Sequence, residues 1–165
     1  MARVLVAYAS RSGAAEDIAG AVAEVARGVG HDVTLSDLRE KPALDADLVV
    51  VGSGIQAGTW YPEALGWLAG NAKALRSTRV AVFNACLNAA DPAKRSDAVG
   101  YNRVHADKVG AVASESFPGR FVPSKVGFFR RVFLKTMQQQ PQDHLDLDAV
   151  RAWAGDVLAT AGLSR

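Results

Sequence analysis

Short apolar runs alternate along the chain with longer stretches in which apolar residues recur every three or four positions. Val4 to Tyr8 is nearly continuous in apolarity, as expected of a strand buried on both faces of a parallel sheet. From Ala14 to Val29 the residues Ile18, Ala19, Val22, Val25, Ala26 and Val29 fall at helical spacing, with Glu16 and Asp17 in the first turn where acids complement the helix dipole. That helix is expected to end near Gly28 or Gly30. His31 to Leu35 follows as an edge strand, supported only by its alternation, and a polar loop runs through Lys41-Pro42. Asp47 to Ser53, with the core Leu48-Val49-Val50-Val51, reads as the clearest buried strand. Pro62 opens a helix that uses Ala64, Leu65, Trp67, Leu68 and Leu75 and runs to about Ala74. Arg79 to Phe83 is the next strand. The polar stretch from Ala89, with Asp91-Pro92, predicts a loop before a helix around Ser96 to Lys108, and Val109 to Glu115 predicts a fifth strand.

Beyond that point the pattern changes. Phe117 to Lys125 reads as a loop, and Val126 to Gln139 as a helix with Phe128, Phe129, Val132, Phe133 and Met137 apolar. Pro141-Gln142-Asp143 breaks the chain before a last amphipathic helix from about Leu147 to Ala161 built on Val150, Trp153, Val157 and Leu158. Strands alternating with helices predict a three-layer α/β sandwich with a five-stranded parallel sheet. In such sheets a ligand binds beyond the carboxyl ends of the strands, where the strand order reverses.

Composition narrows the class. With 165 residues and 49% apolar content, one globular domain over 1–165 is expected, since a domain typically holds about 100–200 residues. The lone Cys86 allows no internal disulfide, and with no apolar leader a reducing cytoplasmic location is expected. The longest apolar runs have strand length, short of the roughly 20 residues a spanning helix needs. Net charge is +2, yet Arg120, Lys125, Arg130, Arg131 and Lys135 lie in a segment without an acid. No nucleic-acid partner is expected.

The first strand ends in Ser10-Arg11-Ser12-Gly13-Ala14-Ala15, a turn that feeds directly into a helix. Such a turn aims free N–H groups and the positive helix end at one point, where an anion fits; a serine-capped turn with no ligand is the other reading. Neither G-x-G-x-x-G nor G-x-x-x-x-G-K-[ST] occurs. Two further loops, Ser53 to Tyr61 and Asn84 to Asn88, are expected to converge on the same crevice. Cys86 reads as a small buried thiol without a C-x-x-C partner. His31, His105 and His144 are scattered and expected at the solvated surface, with no metal site implied. Asp143, Asp146 and Asp148 read as a helix-start cluster.

With these loops placed, the chain resembles the flavodoxin-like family, and within it the menaquinone-dependent protoporphyrinogen oxidase branch. The carrying segments are Ala7-Tyr8-Ala9-Ser10-Arg11-Ser12-Gly13, Gly52-Ser53-Gly54-Ile55-Gln56-Ala57-Gly58, Phe83-Asn84-Ala85-Cys86-Leu87-Asn88 and the insertion Phe117 to Met137. The resemblance implies the strand order 2-1-3-4-5 and FMN as cofactor. It implies that Ser10, Arg11, Ser12, Gly13, Ala14 and Ala15 bind the phosphate. Ser53, Gly54, Ile55, Gln56, Ala57, Gly58 and Thr59 would then run beside the ring, with Trp60 or Tyr61 stacked on it unless they pack at the helix start. Asn84, Ala85, Cys86, Leu87 and Asn88 would serve the pyrimidine edge. Ala15 departs from the family, which commonly has a hydroxyl there. The departure removes one phosphate bond, leaves a deazaflavin open as an alternative, and suggests Arg11 as compensation.

For the basic aromatic segment Arg120 to Lys135 the resemblance implies contact with a membrane surface or a flat carboxylated substrate; packing of its phenylalanines on the sheet is the plainer reading. The leading function implied is an FMN oxidoreductase moving electrons from an organic substrate, such as a porphyrinogen, to a quinone. That role would place the chain in the cytoplasm at the inner face of the cell membrane. Two alternatives stand beside it: a flavodoxin-type electron carrier using FMN or a deazaflavin, and a cofactor-free interaction protein. Catalytic residues stay unassigned.

Overall fold

A computed structural model describes residues 1–121 and 142–164 of the chain. Five strands form the parallel sheet: β1 (Arg3–Ala9), β2 (Asp32–Asp37), β3 (Leu48–Gln56), β5 (Arg79–Ala85) and β6 (Ala113–Phe117). Their order is β2-β1-β3-β5-β6, with the short β4 (Thr59–Trp60) added antiparallel to the end of β3. Once β4 is set aside, this is the expected 2-1-3-4-5 arrangement of a flavodoxin-like α/β sandwich. The interior strands are apolar throughout because helices cover both faces of a parallel sheet. Helix α1 (Ala14–Gly28) and the C-terminal helix α6 (Leu147–Thr160) pack on the face that carries Val4, Val6, Val50 and Phe83. Helices α2 (Pro62–Gly70), α3 (Ala72–Leu75) and α5 (Arg103–Val109) cover the face that carries Leu5, Ala7, Val49, Val51, Val80 and Val82.

Alanines at 14, 15, 19, 21, 23 and 26 are all buried under α1, so the helix lies close to the sheet and its amino end sits directly beyond β1. Leu48, Val49, Val50 and Val51 are at most 1% exposed. Full burial of each such side chain stabilises the fold by about 1.5–3 kcal/mol.

Several element bounds differ from the sequence reading. The second strand begins at Asp32 and extends to Asp37, while His31 is buried; its Nδ1 accepts the Ala2 N–H at 3.2 Å and its Nε2 lies 2.6 Å from the Leu163 carbonyl oxygen. A histidine that ties the first residues to the last is not a solvated one. The helix expected to reach Ala74 breaks at Asn71 into α2 and α3. The helix expected over Ser96 to Lys108 is two short pieces, α4 (Arg95–Gly100) and α5, separated by Tyr101 and Asn102. The fifth strand starts at Ala113 rather than Val109, because Gly110 closes α5 with a left-handed φ of 63° and Val109 stays buried in the helix.

Past β6, the strands β7 (Arg120–Phe121) and β8 (Gln142–Asp143) pair antiparallel, with Arg120 opposite Asp143. The expected helix Val126 to Gln139, and with it Lys125, Arg130, Arg131 and Lys135, lies outside the described residues. Among the described residues no helix is long and apolar enough to cross a membrane.

Candidate functional site

The carboxyl ends of three neighbouring strands are in lateral register, Ala9 beside Ser53 and Ser53 beside Asn84. The loops that follow them therefore open into one crevice on the edge where β1 and β3 diverge to opposite sides of the sheet.

The first loop turns into α1 at Gly13, whose φ of 92° is left-handed and suits glycine. The N-cap residue of α1 is this glycine, which makes no side-chain cap bond. The contrast with α6 is informative, since there Asp146 accepts from the Asp148 and Ala149 N–H groups, each at 3.1 Å. One helix is closed by the carboxylate of its own N-cap residue, whereas the N-cap of the other is a glycine with no side chain to offer, an arrangement compatible with an anion at that end. Ser10 Oγ accepts the Gly13 N–H at 3.0 Å and Ser12 Oγ lies 3.5 Å from the Ala14 nitrogen. Both hydroxyls shape the loop as acceptors, and each also carries an O–H able to donate.

Arg11 does not stand ready to replace the hydroxyl missing at Ala15. Its guanidinium forms a two-pronged pair with Glu63, with Nη2 2.9 Å from Oε2, and lies 4.3 Å from the centroid of the Tyr61 ring. The bond to Glu63 is the main cause that raises the Arg11 pKa and lowers that of Glu63. Among the described residues another cation, Arg120, stands beside the loop, its Nη1 3.3 Å from where a Cβ on Gly13 would lie. Ala15 itself is 1% exposed and packs in the core.

In the second loop, β3 continues to Gln56 and the chain reverses through Ala57-Gly58 into β4. Both turn residues have positive φ, 51° and 75°, the geometry of a tight hairpin. Residues 56–59 are exposed and form the outer lip of the crevice. Ser53 is buried, its Oγ accepting the Tyr61 N–H at 2.9 Å and donating to the Gly54 carbonyl at 2.7 Å, so it holds the hairpin rather than facing a ligand. Trp60 is 1% exposed; its indole donates to Asn102 Oδ1 at 2.9 Å and its ring lies 4.9 Å from that of His105. Stacking on a flavin is closed to it. Tyr61 is 8% exposed and lies across Gly54, where any Cβ would fall within 2.9 Å of the ring. His105, expected at the solvated surface, is half-buried against Trp60, and burial followed by the charge of Lys108 lowers its pKa.

The third loop is more committed to structure than expected. Asn84 is fully buried, donating to the Ala98 carbonyl at 2.7 Å and Asn102 Oδ1 at 2.9 Å while accepting from the Ser116 hydroxyl at 2.6 Å. The Cys86 N–H donates to the Phe117 carbonyl and the Cys86 carbonyl accepts from the Gly119 N–H. Burial raises the Cys86 thiol pKa, which makes it a poor nucleophile. Half-buried Leu87 and Asn88 are left beside the crevice to meet a ring edge. The residue missed from sequence is Asn102. It is 0% exposed, its amide accepting from Trp60 and Asn84 and donating to the Ser114 hydroxyl at 3.2 Å and the Glu115 carbonyl at 2.9 Å. It thereby joins the second and third loops. Asp143, expected at the helix start, instead pairs with Arg120 at 3.1 Å.

The donor set fits FMN: an uncapped helix end and two serine hydroxyls for the phosphate, and two loops spaced about the crevice for a flat ring. The family model described as Flavodoxin domain matches residues 5–148. No curated protein matches the chain. Among solved structures, a short-chain flavodoxin associated with a non-canonical PDU bacterial microcompartment is similar at 19% identity and TM-score 0.63, over 98% of this chain and 99% of that one. Flavodoxin 1 from Bacillus cereus is similar at 18% identity and TM-score 0.61, over 95% and 97%. The flavodiiron protein from Giardia intestinalis aligns at 14% identity and TM-score 0.56, over 98% of this chain and 37% of its own. At these identities the structural likenesses show the shared fold, while the family match spans most of the chain, which belongs to the flavodoxin family, whose cofactor is FMN.

Proposed function

We propose that the chain is an FMN-bearing electron carrier of the flavodoxin type. The observation that carries this reading is the flavodoxin match over residues 5–148. It is supported by a crevice that, among the described residues, is rich in binding groups and whose lone thiol, Cys86, is raised in pKa by burial. When bound, FMN supplies reversible one- and two-electron chemistry. The chain's own residues bind and orient. Ser10, Ser12 and the open first turn of α1 hold the phosphate, the Arg11–Glu63–Tyr61 cluster ties the first loop to the second, and Asn102 keeps the second and third loops at a fixed separation. The exposed tip 56–59 is the surface a redox partner would meet. Because the chain carries a net +2 charge, that partner should present an acidic face.

A second reading keeps the oxidoreductase class. The run from Arg120 to Lys135, five cations and no acid, favours a carboxylated, flat substrate such as a porphyrinogen with a quinone as acceptor, at an anionic membrane surface. The two readings separate in one comparison. FMN-loaded, chemically reduced protein should pass electrons to a one-electron protein acceptor within seconds and give no turnover of protoporphyrinogen with a quinone. Catalytic turnover of protoporphyrinogen, with slow transfer to every protein acceptor tried, would reverse the assignment.

A further inference from the structure

We infer that Arg120 is a phosphate ligand of the flavin site, held ready by Asp17, which the phosphate displaces. The inference rests on FMN occupying the Ser10 to Ala15 loop.

Three observations converge on it. First, Arg120 Nη1 would lie 3.3 Å from a Cβ on Gly13, so a guanidinium stands over the loop backbone at the end of α1 whose N-cap glycine has no side chain to offer. Second, the guanidinium is oriented by two acids: Nη1 donates to Asp17 Oδ2 at 2.8 Å and Nε to Asp143 Oδ2 at 3.1 Å. Among the described residues these side-chain bonds engage two of its five N–H donors. Asp143 lies opposite Arg120 in the β7–β8 pair, so the strand register itself fixes the base of the side chain. Third, the bond to Asp17 is the replaceable one. Asp17 is 44% exposed and gains water on release, whereas a phosphate offers a more highly charged, two-pronged partner.

Among the described residues, two acids face one cation beside a loop that would receive an anion. Exchange of Asp17 for phosphate at Arg120 relieves that conflict. It also supplies the charge-assisted bond that a hydroxyl at position 15 would have contributed. Because Arg120 belongs to the strand that leads into the basic segment, phosphate binding would fasten that segment's base to α1.

The test is a pair of titrations on flavin-stripped protein, FMN against riboflavin, read by flavin fluorescence. Arg120→Gln should weaken FMN about tenfold or more and leave riboflavin unchanged. Asp17→Asn, which removes the competitor and a nearby negative charge, should tighten FMN several-fold and again leave riboflavin unchanged. If either variant leaves FMN affinity as it was, or shifts both flavins equally, Arg120 is a structural clasp and the inference falls. Should Arg120→Gln not fold, Asp17→Asn decides alone, and unchanged or weaker FMN binding overturns the proposal. Wild-type protein that binds neither flavin would instead remove the cofactor reading on which it rests.

Discussion

Gly52 and Phe83 face each other across β3 and β5, and a Cβ on Gly52 would stand 2.3 Å from the Phe83 ring carbons. The ring is fully buried and packs edge-on toward Trp153 at 6.3 Å, so it has nowhere to retreat. Gly52→Ala should destabilise the protein by about 1–3 kcal/mol in urea denaturation. In a Phe83→Leu background the same change should cost less than half as much; an equal cost in both would show that the contact is not what requires glycine. A glycine between Val51 and Ser53 is visible in the sequence as the end of a strand. That an aromatic ring from the next strand fills the space of its missing side chain is not visible, because it depends on which strands become neighbours. The same limit applied to Trp60: its place before a proline-led helix fits either stacking or packing, and only its burial against Asn102 and His105 decides.

At the level of elements, the buried strands β1, β3 and β5 and the helices α1 and α6 were legible because their apolar runs and helical periodicity are strong. What remained hidden were features that carry no periodic signal. The β3–β4 hairpin turns on Ala57-Gly58, without the Asn-Gly or Asp-Gly pair that usually announces such a turn. Asn102 falls inside the single helix expected over Ser96 to Lys108, yet it sits at the break between α4 and α5, where four hydrogen bonds draw its amide into the interior. Asn102→Leu should cost about 2–4 kcal/mol, since it strips the Trp60 indole and the Asn84 amide of a buried partner, at roughly 1–3 kcal/mol for each orphaned group. Urea denaturation checks the figure. A loss below about 1 kcal/mol would mean that water or a rearranged loop takes over those bonds and that Asn102 does not hold the two loops together.

Over the whole molecule, strand order, layer architecture and the position of the crevice follow from α/β alternation and from the rule that ligands bind beyond the strand ends. The family resemblance read from the three loops agrees with the flavodoxin match over residues 5–148. The narrower branch had no comparable physical basis. Its distinguishing segment, Phe117 to Met137, is described only as far as Phe121, and its first cation, Arg120, stands beside Gly13 in the loop between β1 and α1. The family resemblance pointed the segment that begins at this arginine toward a membrane or substrate, and sequence spacing cannot show that Asp17, far earlier in the chain, lies 2.8 Å from it. The account turns on the crevice being a flavin site, and the most direct measurement is the flavin content of the purified, FMN-supplemented and desalted chain by absorbance and mass. One FMN per chain, with the intact phosphate, is the predicted result; protein that emerges colourless and free of flavin after saturation would contradict it.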